Sequence, residues 1–154
     1  CIDSRTSAEL IFDQGLGDIF SIRIAGNFAN QDILGSMEFA CNVSGSKLVV
    51  VLGHTKCGAL KGGLDAPQIE GLGMDNLNHL IYHFESCIHE IIKEGEERSS
   101  KNEDLLDRLT LCNIQKTIED IRHQSSTLRN LEKEGKIKIV GANYDVETGV
   151  VTWL

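Results

Sequence analysis

Cys1, His54 and Cys57 are the residues of this chain best equipped to do chemistry together. His54 and Cys57 stand three residues apart, just after Leu48-Val49-Val50-Val51-Leu52 and Gly53. That apolar, mostly β-branched run reads as a strand buried on both faces, which points to a parallel sheet. Ligands bind beyond the carboxyl ends of such strands. Taken singly, Cys57 reads as a small core hydrophobe and His54 as a loop histidine satisfied by backbone. Together with Cys1 they become a ligand set for zinc, in which three protein donors leave the fourth position open, as catalytic sites require. Asp3 and Arg5 follow Cys1 by two and four residues and supply a carboxylate and a guanidinium for a second shell.

Several elements must position these groups. Residues 7–12 form a short helical turn with Ser7 as N-cap and Glu9 near the positive end of the peptide dipoles. Gly15-Leu16-Gly17 breaks it and is a turn rather than a dinucleotide loop, because no strand precedes it and no third glycine follows. Residues 19–24 alternate apolar with polar and predict a strand carrying Arg23, whose expected role is a structural ion pair at a subunit contact. Asp32 caps a helix bearing Ile33, Leu34, Met37, Phe39, Ala40 and Val43 that ends near Gly45 and completes a β-α-β unit.

Beyond Cys57, Gly58-Ala59-Leu60 opens a helix whose free N–H groups face the metal and suit an anion, with Gly58 letting the backbone be approached closely. Residues 62–73 are glycine-rich and irregular, and the spacing of Leu77, Leu80, Ile81, Phe84, Ile88, Ile91 and Ile92 predicts one long amphipathic helix. His79, His83 and Cys87 lie at i, i+4 and i+8 on it and form a competing ligand stripe. The glutamate of a His-Glu-x-x-His site is absent, which argues against that stripe. Residues 94–103 read as a charged, solvated turn. A helix follows over Leu105 to Ile121, then a shorter one through Leu128 and Leu131 closed by Gly135. Residues 136–140 and 146–154 read as late strands about Thr148-Gly149, with Trp153 packing at the end.

At 154 residues the chain is one domain, and its formal net charge of −8 without any basic run argues against a nucleic-acid partner. No apolar stretch approaches the ~20 residues of a membrane helix. Five cysteines without regular spacing make no disulfide framework and fit a reducing compartment, the cytoplasm; Cys41, Cys87 and Cys112 read as core fillers.

Cys1-x-Asp3-Ser4-Arg5, followed some fifty residues later by Gly53-His54-Thr55-x-Cys57-Gly58-Ala59, resembles the β-class carbonic anhydrases. The likeness extends through residues 9–18, Arg23-Ile24-Ala25-Gly26-Asn27, residues 141–145 and Thr148-Gly149-Val150, and so covers essentially the whole chain. It implies an α/β fold with a mostly parallel sheet of about four or five strands, helices on both faces and zinc at the strand C-terminal ends. It also implies one Zn2+ per subunit on Cys1, His54 and Cys57, and reversible hydration of carbon dioxide to bicarbonate and a proton. In that reading a zinc hydroxide is the nucleophile. Asp3 orients it when Arg5 holds the carboxylate, or closes on the metal when Arg5 releases it. Ser4 and the Gly58 backbone assist with bicarbonate. The resemblance further implies a homodimer, or a tetramer made by pairing two dimers. It also implies that residues 1–154 lack an upstream helical arm and first strand, since a ligand at position 1 needs a strand before it. Two readings of other classes stand beside it. One is a non-catalytic zinc-binding module, and the other an N-terminal-nucleophile amidohydrolase using Cys1.

Overall fold

The computed structural model describes residues 1–69 and 73–154. In chain order the elements are α1 (Ala8–Ile11), then α2 (Gln31–Glu38) continued by a π-helical turn (Phe39–Val43), then β1 (Leu48–His54). Next come α3 (Gly58–Leu64), α4 (Ala66–Ile69), α5 (Asp75–Ile81), a 3-10 turn (Tyr82–Phe84) and α6 (Glu85–Ile91). The chain ends with α7 (Glu103–Gln124), α8 (Ser126–Lys133), β2 (Lys138–Tyr144) and β3 (Val151–Trp153).

Among the described residues the sheet has three strands in the order β1-β2-β3. β1 and β2 run parallel, in register from Leu48 opposite Lys138 to His54 opposite Tyr144. β3 pairs antiparallel with β2 across Ala142 and Trp153. The sheet is therefore mixed, and smaller than the four or five mostly parallel strands the sequence suggests. Residues 19–24 form no strand. Their alternation has the right period, but a strand is completed by a neighbour's backbone. A groove of about 640 Å³ has Phe20, Ile22 and Ile24 and, from β1, Val49, Val50 and Leu52 in its lining. β1 itself is buried only toward its carboxyl end, at Val51, Gly53 and His54, while Leu48 is exposed.

The element that sets the height of the sheet is α7. Asn102 caps it by accepting from the Leu105 N–H at 3.1 Å, and Glu103 and Asp104 occupy the positive first turn. Its buried face carries Leu105, Leu109, Ile114, Ile118 and Ile121, a 3.6-residue stripe. Ile114 lies where the sheet has no side chains. A Cβ on Gly53 of β1 would meet it at 2.5 Å, and one on Gly141 of β2 at 2.7 Å. These two glycines let the helix settle close to the strand end that carries His54. Leu34, Met37, Val51, Leu128 and Ile139 complete this core.

A second core, built from Leu60, Leu64, Ile81, Phe84, Ile88 and Leu109, backs α3. Here the expected long helix divides into α5 and α6, because the hydrogen-bond ladder tightens to 3-10 over Tyr82–Phe84. The stretch expected to be irregular is helical at α3 and α4, and its residues 70–72 lie outside the described residues. Residues 93–102 are not a merely solvated turn. Arg98 pairs with Glu85 and donates to the carbonyls of Gly63 (2.7 Å) and Leu64 (3.1 Å), and Arg108 pairs with Glu96. Asn30, rather than Asp32, caps α2, accepting from the Ile33 N–H at 3.0 Å. Cys41 and Cys87 are buried and Cys112 is half-buried, as core fillers should be.

Candidate metal centre

His54 is the last residue of β1 and is 1% exposed. Its Nδ1 lies 2.9 Å from the Thr55 carbonyl oxygen, which can only accept, so Nδ1 carries the proton and Nε2 keeps a free lone pair. Nε2 is buried and has no hydrogen-bond partner. Burial lowers the imidazole's pKa more than the Thr55 contact raises it, which keeps the ring neutral, the form that ligates metals. After Thr55 the chain turns sharply through Lys56, whose φ of 56° is left-handed. That turn brings Cys57 back beside His54, where it serves as the N-cap residue of α3 and is 1% exposed. Burial pushes the Cys57 thiol up, and the Leu60 and Ala59 amides facing its sulfur pull the other way.

Cys1 comes from the far end of the sequence. Its sulfur lies 3.8 Å from that of Cys57, and one ligand atom from each of Cys1, His54 and Cys57 lies within 4.8 Å of the others. Two sulfurs each ~2.3 Å from a tetrahedral zinc would stand roughly 3.8 Å apart. The donor set therefore fits zinc in type and in spacing, and the unpartnered Nε2 would be the third donor. The sequence placed these three together, and the structure brings them together.

Cys1 is fixed by groups the sequence reading did not identify. Arg23 donates from Nε to the Cys1 carbonyl (2.8 Å) and from a terminal nitrogen to the Asp3 carbonyl (2.6 Å). Within the chain it clasps the backbone of the segment that carries Cys1. Thr6, buried, donates its hydroxyl to the Asp3 carbonyl at 2.8 Å. The Gly26 N–H donates to the Cys1 sulfur at 3.4 Å. Gly26 was visible only as part of the Arg23–Asn27 motif, and nothing in the sequence tied Arg23 to backbone carbonyls.

Asp3 and Arg5 meet in a two-point contact. Arg5 donates from Nε to Oδ1 at 2.8 Å and from a terminal nitrogen to Oδ2 at 2.7 Å, and its backbone N–H reaches Oδ1 at 3.0 Å. This pairing, chiefly the side-chain hydrogen bonds, holds the Asp3 carboxyl well below the usual carboxylate range. Asp3 Oδ2 is also 4.0 Å from His54 Nε2, so the carboxylate overlooks the donor cluster while Arg5 holds it. Of the two arrangements the sequence left open, this one has Asp3 engaged by Arg5. Ser4 is exposed in the turn between them. Gly58 opens α3, and no atom lies within 4 Å of where its Cβ would stand, so its backbone is open to approach.

The helical stripe does not form a ligand set. Cys87 is buried, whereas His79 and His83 are exposed, and His83 stacks on Phe28 with ring centroids 4.0 Å apart. Among the described residues, Cys1, His54 and Cys57 are the group able to hold a metal.

Comparison with known proteins agrees with this geometry. A family model described as carbonic anhydrase matches residues 1–151. The chain is 32% identical over 149 residues to carbonic anhydrase 2 of Mycobacterium tuberculosis, covering 97% of this chain and 69% of that protein. It is 32% identical over 151 residues to the carbonic anhydrase of Mycolicibacterium smegmatis, covering 98% and 70% respectively. Among solved structures, the β-carbonic anhydrase CcaA superposes with a TM-score of 0.86 at 26% identity, over 99% of this chain and 75% of that one. The β-carbonic anhydrase CafA of Aspergillus fumigatus superposes with a TM-score of 0.84 at 27% identity, over 100% and 72%.

Proposed function

The chain belongs to the β-class carbonic anhydrases and catalyses the zinc-dependent, reversible hydration of carbon dioxide to bicarbonate and a proton; we propose that Cys1, His54 and Cys57 hold the zinc while Asp3 and Arg5 serve the reacting oxygen. The observation that carries the ligand assignment is the unpartnered, buried Nε2 of His54 beside two sulfurs 3.8 Å apart. Zinc bound there acts as a Lewis acid that makes water acidic enough to lose a proton near neutral pH.

The chain's own residues do the rest. His54 is held in one tautomer by Thr55, so its lone pair is aimed before any ion arrives. Asp3, ionised by its contact with Arg5, can accept a hydrogen bond at Oδ2 but not donate one. An acceptor fixed in that place turns the proton of the attacking oxygen toward itself and its lone pair toward the carbon. Arg5 holds both carboxylate oxygens and so keeps Asp3 from taking a ligand position itself.

Arg5→Ala is accordingly expected to lower the hydration rate about 10–100-fold while zinc content stays at the wild-type level, because the lost contact lies outside the ligand set. Stopped-flow hydration with metal analysis on the same preparation checks it. An unchanged rate would show that Asp3 is held by something else.

The assembly that suits this surface is at least a homodimer. Ile2 and Leu10, which flank the Asp3–Arg5 turn, are exposed, as are Leu16, Phe20, Phe39 and Val43. So much exposed apolar surface is what an interface with a second copy would cover. Sedimentation analysis at micromolar concentration is expected to show a dimer or larger, and a monomeric active enzyme would rule this out.

A further inference from the structure

Asn113 is a polar residue on the apolar face of α7, 4% exposed and set among Leu109, Thr110, Ile114 and Thr117. A buried carboxamide costs stability unless it is hydrogen-bonded. Its Nδ2 donates to the Gly26 carbonyl oxygen at 2.8 Å, a contact spanning 87 residues of sequence.

Gly26 is constrained on every side. Its φ of +78° strongly favours glycine, and a Cβ there would meet the Phe84 ring at 2.2 Å. Its carbonyl is held by Asn113, and its N–H points at the Cys1 sulfur at 3.4 Å. An N–H aimed at a sulfur favours the thiolate, which is the form that ligates zinc. Arg23 and Thr6 tie down the backbone of residues 1–3, whereas Gly26 is the group that touches the sulfur itself. The element that holds Gly26 is α7, the same helix that sets the height of the sheet beneath His54.

We propose that Asn113 is a positioning residue of the metal centre, which acts through Gly26 to aim a backbone N–H at the Cys1 sulfur and so keeps that sulfur in place as a ligand. This rests on Cys1 being a ligand. A merely structural Asn113 would tie the Gly26 loop to α7 without any consequence at the sulfur.

The test uses the wild-type protein loaded with spin-active cadmium in place of zinc. A hydrogen bond from an amide to a metal-bound sulfur transmits scalar coupling between the metal and the amide proton. The expected result is coupling between cadmium and the Gly26 amide proton in the wild type. In Asn113→Leu, which removes the donor at similar volume, and in Asn113→Ser, whose hydroxyl is too short to span the contact, the coupling is expected to fall or vanish. Zinc release to a chelator should become about tenfold faster in both, as for other groups that support a metal ligand. If one variant fails to fold, the other and the wild-type spectrum still decide. A wild type that takes up one cadmium per chain without the coupling overturns the inference, as does coupling and zinc release unchanged in a folded variant. A wild type that takes up no cadmium overturns instead the ligand assignment on which the inference rests.

Discussion

His54→Ala, and separately Cys57→Ser, is expected to leave a protein that holds no zinc after dialysis against a chelator and hydrates carbon dioxide no faster than the uncatalysed reaction. In the proposed site three donors hold the ion, and their ligand atoms already stand within 4.8 Å of one another. Structural zinc sites bind with apparent free energies of about 10–16 kcal/mol, so losing one of three ligands removes on the order of 3–5 kcal/mol, a factor of roughly 150 to 5,000 in affinity. Serine is no substitute at position 57, since its hydroxyl stays protonated near neutral pH and is a poor zinc ligand. Alanine at position 54 removes the one neutral donor and leaves two sulfurs 3.8 Å apart. His54 ends β1, and Cys57→Ser keeps the side chain's size in the core behind α3, so the far-ultraviolet circular dichroism should stay close to that of the wild type. Stoichiometric zinc in either variant would refute the ligand assignment, whatever the activity.

The ligand set was readable in the sequence as two short motifs, which the resemblance to the β-class carbonic anhydrases joins across some fifty residues. His54 and Cys57 sit on one strand-to-helix turn, and Cys1, Asp3 and Arg5 in the segment before α1, and each motif is legible from residue type and short spacing. What remained hidden depends on contacts between distant segments. Residues 19–24 have a strand's alternation but, without a paired backbone alongside, form no ladder. Arg23 looked like a partner for a carboxylate because a guanidinium pairs well with one. In the fold, the nearest acceptors are the Cys1 and Asp3 carbonyls, some twenty residues back. Asn113 gave no signal, since its partner is a carbonyl 87 residues away and an asparagine in a helical stripe usually faces water. The periodicity through residues 77–92 placed Ile81, Phe84 and Ile88 in the core, yet Leu77 is exposed and the helix divides where Phe84 packs against Gly26 and Gly63.

Phe84 is also where packing and the metal centre meet. The ring is fully buried, and a Cβ at Gly26 or Gly63 would fall 2.2 Å or 2.9 Å from its atoms, so two separate segments close directly onto it. Phe28 adds an edge-to-face contact at 6.4 Å between centroids. Phe84→Ala is therefore expected to cost about 3–5 kcal/mol, from lost transfer free energy and from a cavity that neighbours without side chains cannot fill. For a domain whose total stability is about 5–15 kcal/mol this is a large fraction. Phe84→Leu, which keeps most of the volume, should cost far less. Urea unfolding at a fixed protein concentration checks the difference, and the loss should persist after zinc is removed by a chelator, because the cavity does not depend on the ion. The site should respond as well. With the ring gone, Gly26 loses the wall behind it, and its N–H wanders from the Cys1 sulfur it meets at 3.4 Å. Zinc should then leave Phe84→Ala faster than it leaves the wild type under conditions where both are folded. A stability loss below about 1 kcal/mol for Phe84→Ala would mean that the two glycine segments collapse to fill the space, contrary to the rigid backing described for this side of the site.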